Sequence, residues 1–308
     1  MTWTPLNLQT FALGESPFWH PHEHHLYWVD IEARKVVRAN GFTGELQDWI
    51  LPTAPGCIAP AAGGGLVLAL RDGLYRAVEW RGALTLIQPS PYDTVTTRFN
   101  DGKCDVLGRL WAGTMYEPRD KALGVLYAFD ARAGGAPTVQ ALADTVTVAN
   151  GLAWSPDHQT VYWADTAQHI IRAWDWDAHT NTLSRGRVFH QFPFKPAGWT
   201  YGMPGYLGRP DGATVDAQGN YWVAMFEGGR VLKLSPAGVI LDDLPTPAFC
   251  PTMPCFGGDD LKTLYVTSAS YNRSAQELAD FPQSGCVFSM RVSVPGLPVN
   301  FFRGGPLL

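Results

Sequence analysis

The sequence predicts an all-β fold, a six-bladed β-propeller with a metal site in its central channel. Three observations favour the propeller. Apolar and polar residues alternate with a period of two, clusters of Gly, Pro, Asp and Asn separate the alternating runs, and the runs recur every 40 to 59 residues. A propeller blade is a four-stranded sheet of about 40–50 residues that packs against its neighbours around a channel.

Six apolar and aromatic runs define the blades, and most are followed by a further strand-like segment. Their aligned central residues are Trp28, Leu68, Trp111, Trp163, Trp222 and Tyr265. The runs are His25–Asp30, Gly65–Leu70, Arg109–Thr114, Thr160–Asp165, Asn220–Met225 and Thr263–Ser268. We expect each run to be the second strand of its blade, with a strand nearer the channel just before it in the chain.

A closed ring needs a connection between its first and last blades. The segment Leu6–Leu13 has a strand-like pattern and precedes the first blade without a partner of its own, so we expect it to join the last blade. Composition changes little along the chain. The sequence therefore predicts one domain over residues 1–308, without a linker.

The longest interval between runs contains an insertion, Phe192–Tyr206, that is rich in Gly, Pro and aromatic residues. Two interpretations are open. The insertion covers a ligand pocket, with Trp199, Tyr201 and Tyr206 available to stack on a sugar, or it is an ordinary surface excursion.

Composition and charge restrict the class of partner. The net charge is −5 and no basic block is present, which argues against nucleic-acid binding. The longest apolar run, Ala61–Leu70, is too short to span a membrane, and the first residues lack the basic and apolar regions of a secretory signal. We therefore expect a cytoplasmic protein, a monomer or weak homodimer, whose partner is a small molecule and neither nucleic acid nor membrane.

Two sets of potential metal ligands have simpler interpretations. His20, His22, His24 and His25 fall in a turn of the first blade and are interpreted as solvated hairpin residues. The five cysteines are an odd number without CxxC spacing, which favours reduced, buried thiols, although Cys250 and Cys255 are close enough in sequence to pair.

Four of the six repeats begin with a polar residue upstream of the aromatic run. These residues are Glu15, Asn100, Asn150 and Asp211. The symmetry of a propeller would bring them together at one end of the channel, where two carboxylates repel each other unless a cation lies between them. The alternative is that the Asn-Gly and Asp-Gly dipeptides only cap turns, but Glu15 is not a turn former. The shared position in four repeats therefore favours a metal site.

These segments resemble the gluconolactonase and regucalcin (senescence marker protein) family of six-bladed propellers. The resemblance runs from Gly14–Pro17 to Cys255–Gly258 and is most specific in Arg98–Lys103, Gly108–Met115, Asn150–Asp157 and Pro210–Gly212. It implies that Glu15, Asn150 and Asp211 ligate one divalent cation and that Arg98 and Asn100 hold the substrate. It also makes Glu117 a candidate for substrate contact.

Members of that family hydrolyse lactones, commonly sugar lactones, and the candidate residues suit this chemistry. A divalent cation polarises the lactone carbonyl and lowers the pKa of a bound water, while Asp211 is the predicted base. Arg98 and Asn100 would stabilise charge that develops on the substrate. Ca²⁺ is the first choice of cation, with Zn²⁺, Mn²⁺, Mg²⁺ and Fe²⁺ open.

The expected function is therefore that of a metal-dependent sugar lactonase, which opens a gluconolactone, xylonolactone or arabinonolactone to the aldonic acid. Two alternatives remain open. One is a propeller hydrolase of non-sugar lactones or phosphotriesters, and the other is a noncatalytic calcium-binding propeller.

Overall fold

The computed structural model describes residues 2–304, which form six four-stranded antiparallel sheets arranged as the blades of a propeller. The innermost strands of the six blades pack against one another around the central channel. This arrangement confirms the predicted all-β, six-bladed fold. Each predicted aromatic run is the second strand of its blade, to within one or two residues at either end.

The first strand of the chain, β1 (Thr4–Pro5), belongs to the last blade, and the other strands follow in blade order. The first three blades contain β2 (Gly14–His20), β3 (His25–Asp30), β4 (Lys35–Asn40) and β5 (Leu46–Ile50); β6 (Pro55–Pro60), β7 (Leu66–Leu70), β8 (Gly73–Ala77) and β9 (Thr85–Pro89); and β10 (Thr97–Cys104), β11 (Leu110–Tyr116), β12 (Gly124–Asp130) and β13 (Thr138–Val146).

The last three blades contain β14 (Ala149–Trp154), β15 (Thr160–Asp165), β16 (Ile170–Asp177) and β17 (Thr182–Gln191); β18 (Arg209–Val215), β19 (Tyr221–Phe226), β20 (Arg230–Leu234) and β21 (Ile240–Pro245); and β22 (Pro251–Gly257), β23 (Thr263–Ser268) and β24 (Phe288–Arg291), with β1 at the outer edge. One short helix, α1 (Ala275–Asp280), lies between β23 and β24. No helix among residues 2–304 is long and apolar enough to cross a membrane.

The N-terminal segment closes the ring, as predicted, but with different residues forming the strand. Thr4 pairs with Ser289 and Pro5 with Phe288, whereas the predicted strand was Leu6–Leu13. Proline has no N–H to donate and is tolerated on an edge strand, which is the position of β1. Residues 6–13 instead continue along the last blade, where Phe11 donates its N–H to the Gly285 carbonyl at 2.8 Å.

A second closure, which the sequence analysis did not predict, comes from the C-terminal segment. Residues 292–304 form isolated bridges with three different blades, at Gly296, Phe302 and Gly304, and the Phe302 N–H donates to the Pro60 carbonyl at 2.8 Å. Phe302 is 1% exposed and packs with Phe99 and Phe129. The last residues of the described chain therefore contribute to the core between the second and third blades.

The innermost strands share one irregularity. In each of the six blades the register with the second strand shifts near the start of the innermost strand, for example between Glu15 and Phe18 and between Pro210 and Ala213. Such a bulge bends a strand and redirects its side chains. The shift recurs at equivalent positions. In each innermost strand, one side chain therefore points in a different direction from the one that regular alternation would give it.

All five cysteines are buried and unpaired, which confirms the predicted thiols and excludes a Cys250–Cys255 disulfide. The histidines lie in the β2–β3 hairpin, as expected, but His20 is only 5% exposed. Its ring packs on Tyr27 and Phe301, so the expectation of a solvated side chain was wrong for this residue.

Candidate functional site

Five of the six predicted site residues line one cavity at the end of the channel where the innermost strands begin. The cavity has a volume of about 410 Å³. The predicted residues that line it are Glu15, Arg98, Asn100, Asn150 and Asp211. They come from four different blades, so the convergence is a consequence of the ring and not of any local turn.

The bulges in the innermost strands place these side chains. Ser16, directly after Glu15, has a φ of +50°, and Gly151, directly after Asn150, has a φ of +62°. The left-handed region is costly for a residue with a Cβ, so Ser16 is a strained position next to a candidate ligand. The Ser16 hydroxyl is fixed by the backbone of Ile58 in the neighbouring blade, to which it donates at 3.3 Å and from which it accepts at 3.0 Å.

A chain of hydrogen bonds orients the amides. Arg98 Nη1 donates to Asn100 Oδ1 at 2.7 Å, and Asn100 Nδ2 donates to Asn150 Oδ1 at 3.0 Å. Asn150 Nδ2 donates to the Thr166 hydroxyl at 2.8 Å, and that hydroxyl donates to the Pro210 carbonyl at 2.7 Å. The Asn150 nitrogen is therefore engaged by Thr166, while its oxygen keeps a lone pair for another partner.

The two candidate carboxylates are buried and interact unfavourably. Burial raises the pKa of Glu15 well above its usual value, and the charges of Asp211 and Asp101 raise it further. Burial also raises the pKa of Asp211, to about 8, although Arg209, Arg119 and Arg98 oppose that shift. Two ionised carboxylates in this place need a compensating positive charge.

A divalent cation fits these residues. Two buried carboxylates and an amide oxygen form a set of hard oxygen donors, the type that Ca²⁺, Mg²⁺ and Mn²⁺ prefer. Among residues 2–304, no three side chains of the His, Cys, Asp and Glu types lie close enough together to hold a metal ion. The predicted set contains only two acidic members, Glu15 and Asp211, and its third member is the amide of Asn150.

A further carboxylate next to the site was missed by the sequence analysis. Asp101 follows Asn100, is 3% exposed, and accepts from the Leu152 N–H through Oδ2 at 2.9 Å. Its other oxygen has no hydrogen-bond partner within the described chain. Burial raises the pKa of Asp101, and Lys103 opposes this. The sequence contained a signal for Asp101, because Asp101 and Asn100 both belong to the Arg98–Lys103 segment that carries the family resemblance.

Glu117 lies outside the cavity wall. Its carboxylate forms two hydrogen bonds of 2.8 Å with Arg71 and lies 3.5 Å from Nε of Arg98. Hydrogen bonds from Arg71 lower the pKa of Glu117. This geometry favours Glu117 as a group that positions Arg98, and direct contact with substrate stays a prediction.

Three arginines that the sequence analysis did not select also line the cavity. They are Arg119, Arg209 and Arg273. Arg209 could have been found from the repeat, since it precedes Asp211 by two residues as Arg98 precedes Asn100. Arg119 and Arg273 lie in loops after second strands. These loops have no repeat pattern, so a single sequence does not indicate which of their residues face the cavity.

The insertion lies at the rim of this cavity. The Tyr206 hydroxyl is 2.9 Å from Nε2 of His169, which itself lines the cavity. Trp199 packs edge-on against Tyr206, and Tyr201 packs against Phe249. None of the cavity-lining residues identified in the described chain belongs to the insertion. The rings do not line the cavity in this arrangement, and both their stacking on a sugar and the control of substrate choice by the insertion stay predictions.

Fold and cavity together define a six-bladed propeller with a polar pocket at one mouth of its channel. Residues 13–270 match the family described as the SMP-30/Gluconolactonase/LRE-like region, and the chain belongs to this family. It is 42% identical over 299 residues to a 6-deoxy-6-sulfogluconolactonase of Pseudomonas putida, covering 96% of this chain and 97% of the relative.

Two further comparisons agree with this membership. The chain is 35% identical to regucalcin of Danio rerio, covering 95% of each protein. A crystal structure of a calcium-binding protein, regucalcin, from Agrobacterium tumefaciens superimposes with a TM-score of 0.86 at 26% identity, covering 97% of this chain and 96% of that one. The resemblance seen in the motifs is thus confirmed.

Proposed function

We propose that the protein hydrolyses a sugar lactone to its aldonic acid at the channel mouth, with a divalent cation as cofactor. One observation carries the proposal, which is that Glu15, Asn150 and Asp211 line the same cavity as Arg98 and Asn100. One relative with a lactonase name, together with the family description, supports the same reaction for this chain. In the reaction, water adds to the lactone carbonyl carbon, the ring C–O bond breaks, and the ring oxygen leaves as a hydroxyl after taking up a proton.

We assign the roles of the protein groups from their positions in the cavity. Asp211 takes a proton from the attacking water, and the neighbouring Arg209, Arg119 and Arg98 favour its ionised form. Arg98 donates to Asn100 and to the Phe99 carbonyl, so its guanidinium is held in place before a substrate arrives. A fixed donor can stabilise the oxyanion of the tetrahedral intermediate without reorganising during the reaction.

Glu15, Asn150 and Asp211 would hold the cation. When bound, a divalent cation supplies Lewis acidity, which polarises an ester carbonyl and makes water more acidic. The raised pKa values of Glu15 and Asp211 support this assignment, since both carboxylates gain from a nearby positive charge. Ca²⁺ is the first candidate, and the regucalcin relatives support a divalent ion in general.

A panel of lactones tests the proposal. Chelator-treated protein is assayed with gluconolactone, xylonolactone, arabinonolactone and a 6-sulfonated gluconolactone, before and after addition of Ca²⁺, Mg²⁺, Mn²⁺ or Zn²⁺. Ring opening is followed as acid release. We expect no activity above background without a cation and recovery with at least one. Cation binding without hydrolysis of any lactone would instead favour a noncatalytic calcium-binding propeller.

A further inference from the structure

We propose that the substrate of this pocket carries an anionic group, such as a sulfonate, phosphate or carboxylate, remote from the lactone ester, and that Arg119, Arg209 and Arg273 bind that group. This inference rests on the proposed function and specifies its substrate class.

The charge of the cavity wall differs from that of the whole chain. Seven of the residues that line the cavity carry a formal charge, and four of them are arginines, whereas the chain as a whole has a net charge of −5. Two of the three acids, Glu15 and Asp211, are the proposed cation ligands, and the third is Glu32. With a divalent cation bound, the formal charges of the lining residues therefore sum to a positive value.

Arg209 and Arg273 are held by one buried carboxylate. Glu227 Oε2 lies 3.2 Å from Arg209, and its Oε1 lies 3.2 Å from Arg273. Lys195 adds a third cation at 2.9 Å, and the Glu227 side chain is only 8% exposed. Glu277, at 3.7 Å from Arg273, is the other acid nearby. Three cations therefore share one close carboxylate, which leaves positive charge uncompensated beside the cavity.

The two guanidinium groups are also fixed in orientation. Arg209 and Arg273 lie over the Phe226 ring, at 5.2 and 5.5 Å from its centroid. Arg273 additionally donates to the Cys250 sulfur at 3.1 Å. A planar guanidinium held this way presents its remaining donors in a fixed fork, which suits the oxygens of a sulfonate, phosphate or carboxylate.

Arg119 differs from the other cavity arginines because it forms no ion pair with a carboxylate among the described residues. It lines the cavity, and within residues 2–304 it has no carboxylate partner, unlike the nearby Arg98, which lies 3.5 Å from Glu117. Its φ of +59° shows that the turn after β11 holds a non-glycine residue in the left-handed region. Because Arg119 is exposed at the cavity and makes no ion pair, its guanidinium is free to pair with an anionic substituent, which a neutral sugar lacks.

The test compares lactones that differ only in the remote substituent. The cation-loaded protein is assayed with gluconolactone and with its 6-sulfonated, 6-phosphorylated and 6-carboxylate counterparts. We expect kcat/KM for at least one anionic lactone to exceed that for the neutral parent at least tenfold, mainly through KM. The order of preference among the three identifies the anion.

Arg119→Gln should lower the ratio of anionic to neutral kcat/KM about tenfold, and Arg119→Lys, which keeps the charge, should retain most of it. Arg185→Gln is the matched control, because Arg185 is also exposed and has a φ of +50° but lies in an outer strand away from the cavity. Calorimetry with the opened 6-sulfonated aldonate gives a readout without turnover, in which Arg119→Gln should weaken binding and Arg185→Gln should not.

A negative result for the anion-binding site can be distinguished from a negative result for the lactonase activity. Equal kcat/KM for neutral and anionic lactones would overturn the anion subsite and leave the proposed lactonase standing. An unchanged ratio in Arg119→Gln would overturn the role of Arg119, and no hydrolysis of any lactone would overturn both proposals.

Discussion

Asp211 is subject to opposing electrostatic effects at the channel mouth. Its burial disfavours the charged form and raises its pKa to about 8, whereas three arginines favour that form. Natural proteins tolerate such costs where a group has a function. The cost should then be visible as instability in protein from which the cation has been removed.

Replacement of Asp211 by Asn separates function from stability. Because the unfolded-state pKa is near 3.9 and the folded-state pKa is about 8, protonated Asp211 stabilises the cation-free fold below about pH 4. That stabilisation is lost as pH rises towards 8. We expect the Tm of chelated wild-type protein to fall as the pH rises across this window, and the Tm of Asp211→Asn to fall less steeply. We also expect the kcat of the variant to be lower by a factor of about 10²–10⁴. A steeper pH dependence of Tm, or near-native turnover, in Asp211→Asn would contradict this account.

Thr166 controls the orientation of the Asn150 amide, because it accepts from Asn150 Nδ2 at 2.8 Å. Thr166→Val keeps the shape and removes that acceptor, so the amide can rotate away from the proposed cation. Loss of such a supporting contact typically costs about 10–100-fold in metal affinity. Calorimetric titration with Ca²⁺ measures the effect, and Thr166→Ser, which keeps the hydroxyl, should bind nearly as the wild type does. Equal affinity in Thr166→Val would show that Asn150 does not need this partner.

At the scale of structural elements, the turn after β19 is joined by ion pairs to three other segments at the rim of the pocket. Glu227 there has a φ of +59° and joins the start of β18 through Arg209, the insertion through Lys195, and the loop before α1 through Arg273. The insertion is thus attached to the rim by an ion pair and by the Tyr206–His169 hydrogen bond. Its position depends on contacts that are distant in sequence.

Glu227→Gln should destabilise the protein by about 3 kcal/mol, because it leaves three cations without their shared buried carboxylate. Urea denaturation measures the change. Asp175→Asn is the control, since Asp175 also pairs with two cations, Arg185 and Arg187, but its side chain is 39% exposed. A surface pair contributes about 0–1 kcal/mol. Equal losses in the two variants would contradict the importance of burial at Glu227.

The elements that the sequence predicted best are those with a local pattern. Alternation in runs such as Thr160–Asp165 depends on one buried strand and its neighbours, so the second strands were located to within one or two residues. The repeat position of Asn150 and Asp211 likewise predicted that they would share a cavity. The insertion has no periodicity, and its packing against Phe249 and His169 had no local signal.

At the scale of the whole molecule, two segments close the ring. The N-terminal strand β1 completes the last blade, and the C-terminal residues cross the far side of the propeller, where Leu297 and Asn300 line a separate cavity with Lys103. Neither the exact N-terminal strand nor the C-terminal crossing was predicted. Both depend on pairing between residues distant in sequence, which a single sequence specifies weakly.

Phe302→Ala tests the contribution of the C-terminal crossing. Phe302 is 1% exposed within the core of the second and third blades, so its truncation should cost about 3–5 kcal/mol. Phe301→Ala is the matched control, because the neighbouring ring is only partly buried against His20 and His22. Denaturant unfolding should show a much smaller loss for the control. Similar values would show that the crossing is only superficially attached.

The most direct test of cation binding at the channel mouth is anomalous diffraction from crystals soaked with Mn²⁺. We expect one strong peak within about 2.6 Å of carboxylate oxygens from Glu15 and Asp211 and the amide oxygen of Asn150. The same soak of Asp211→Ala crystals should lose the peak. A peak elsewhere, or none at these three residues in protein that hydrolyses lactones, would contradict the assignment of the site.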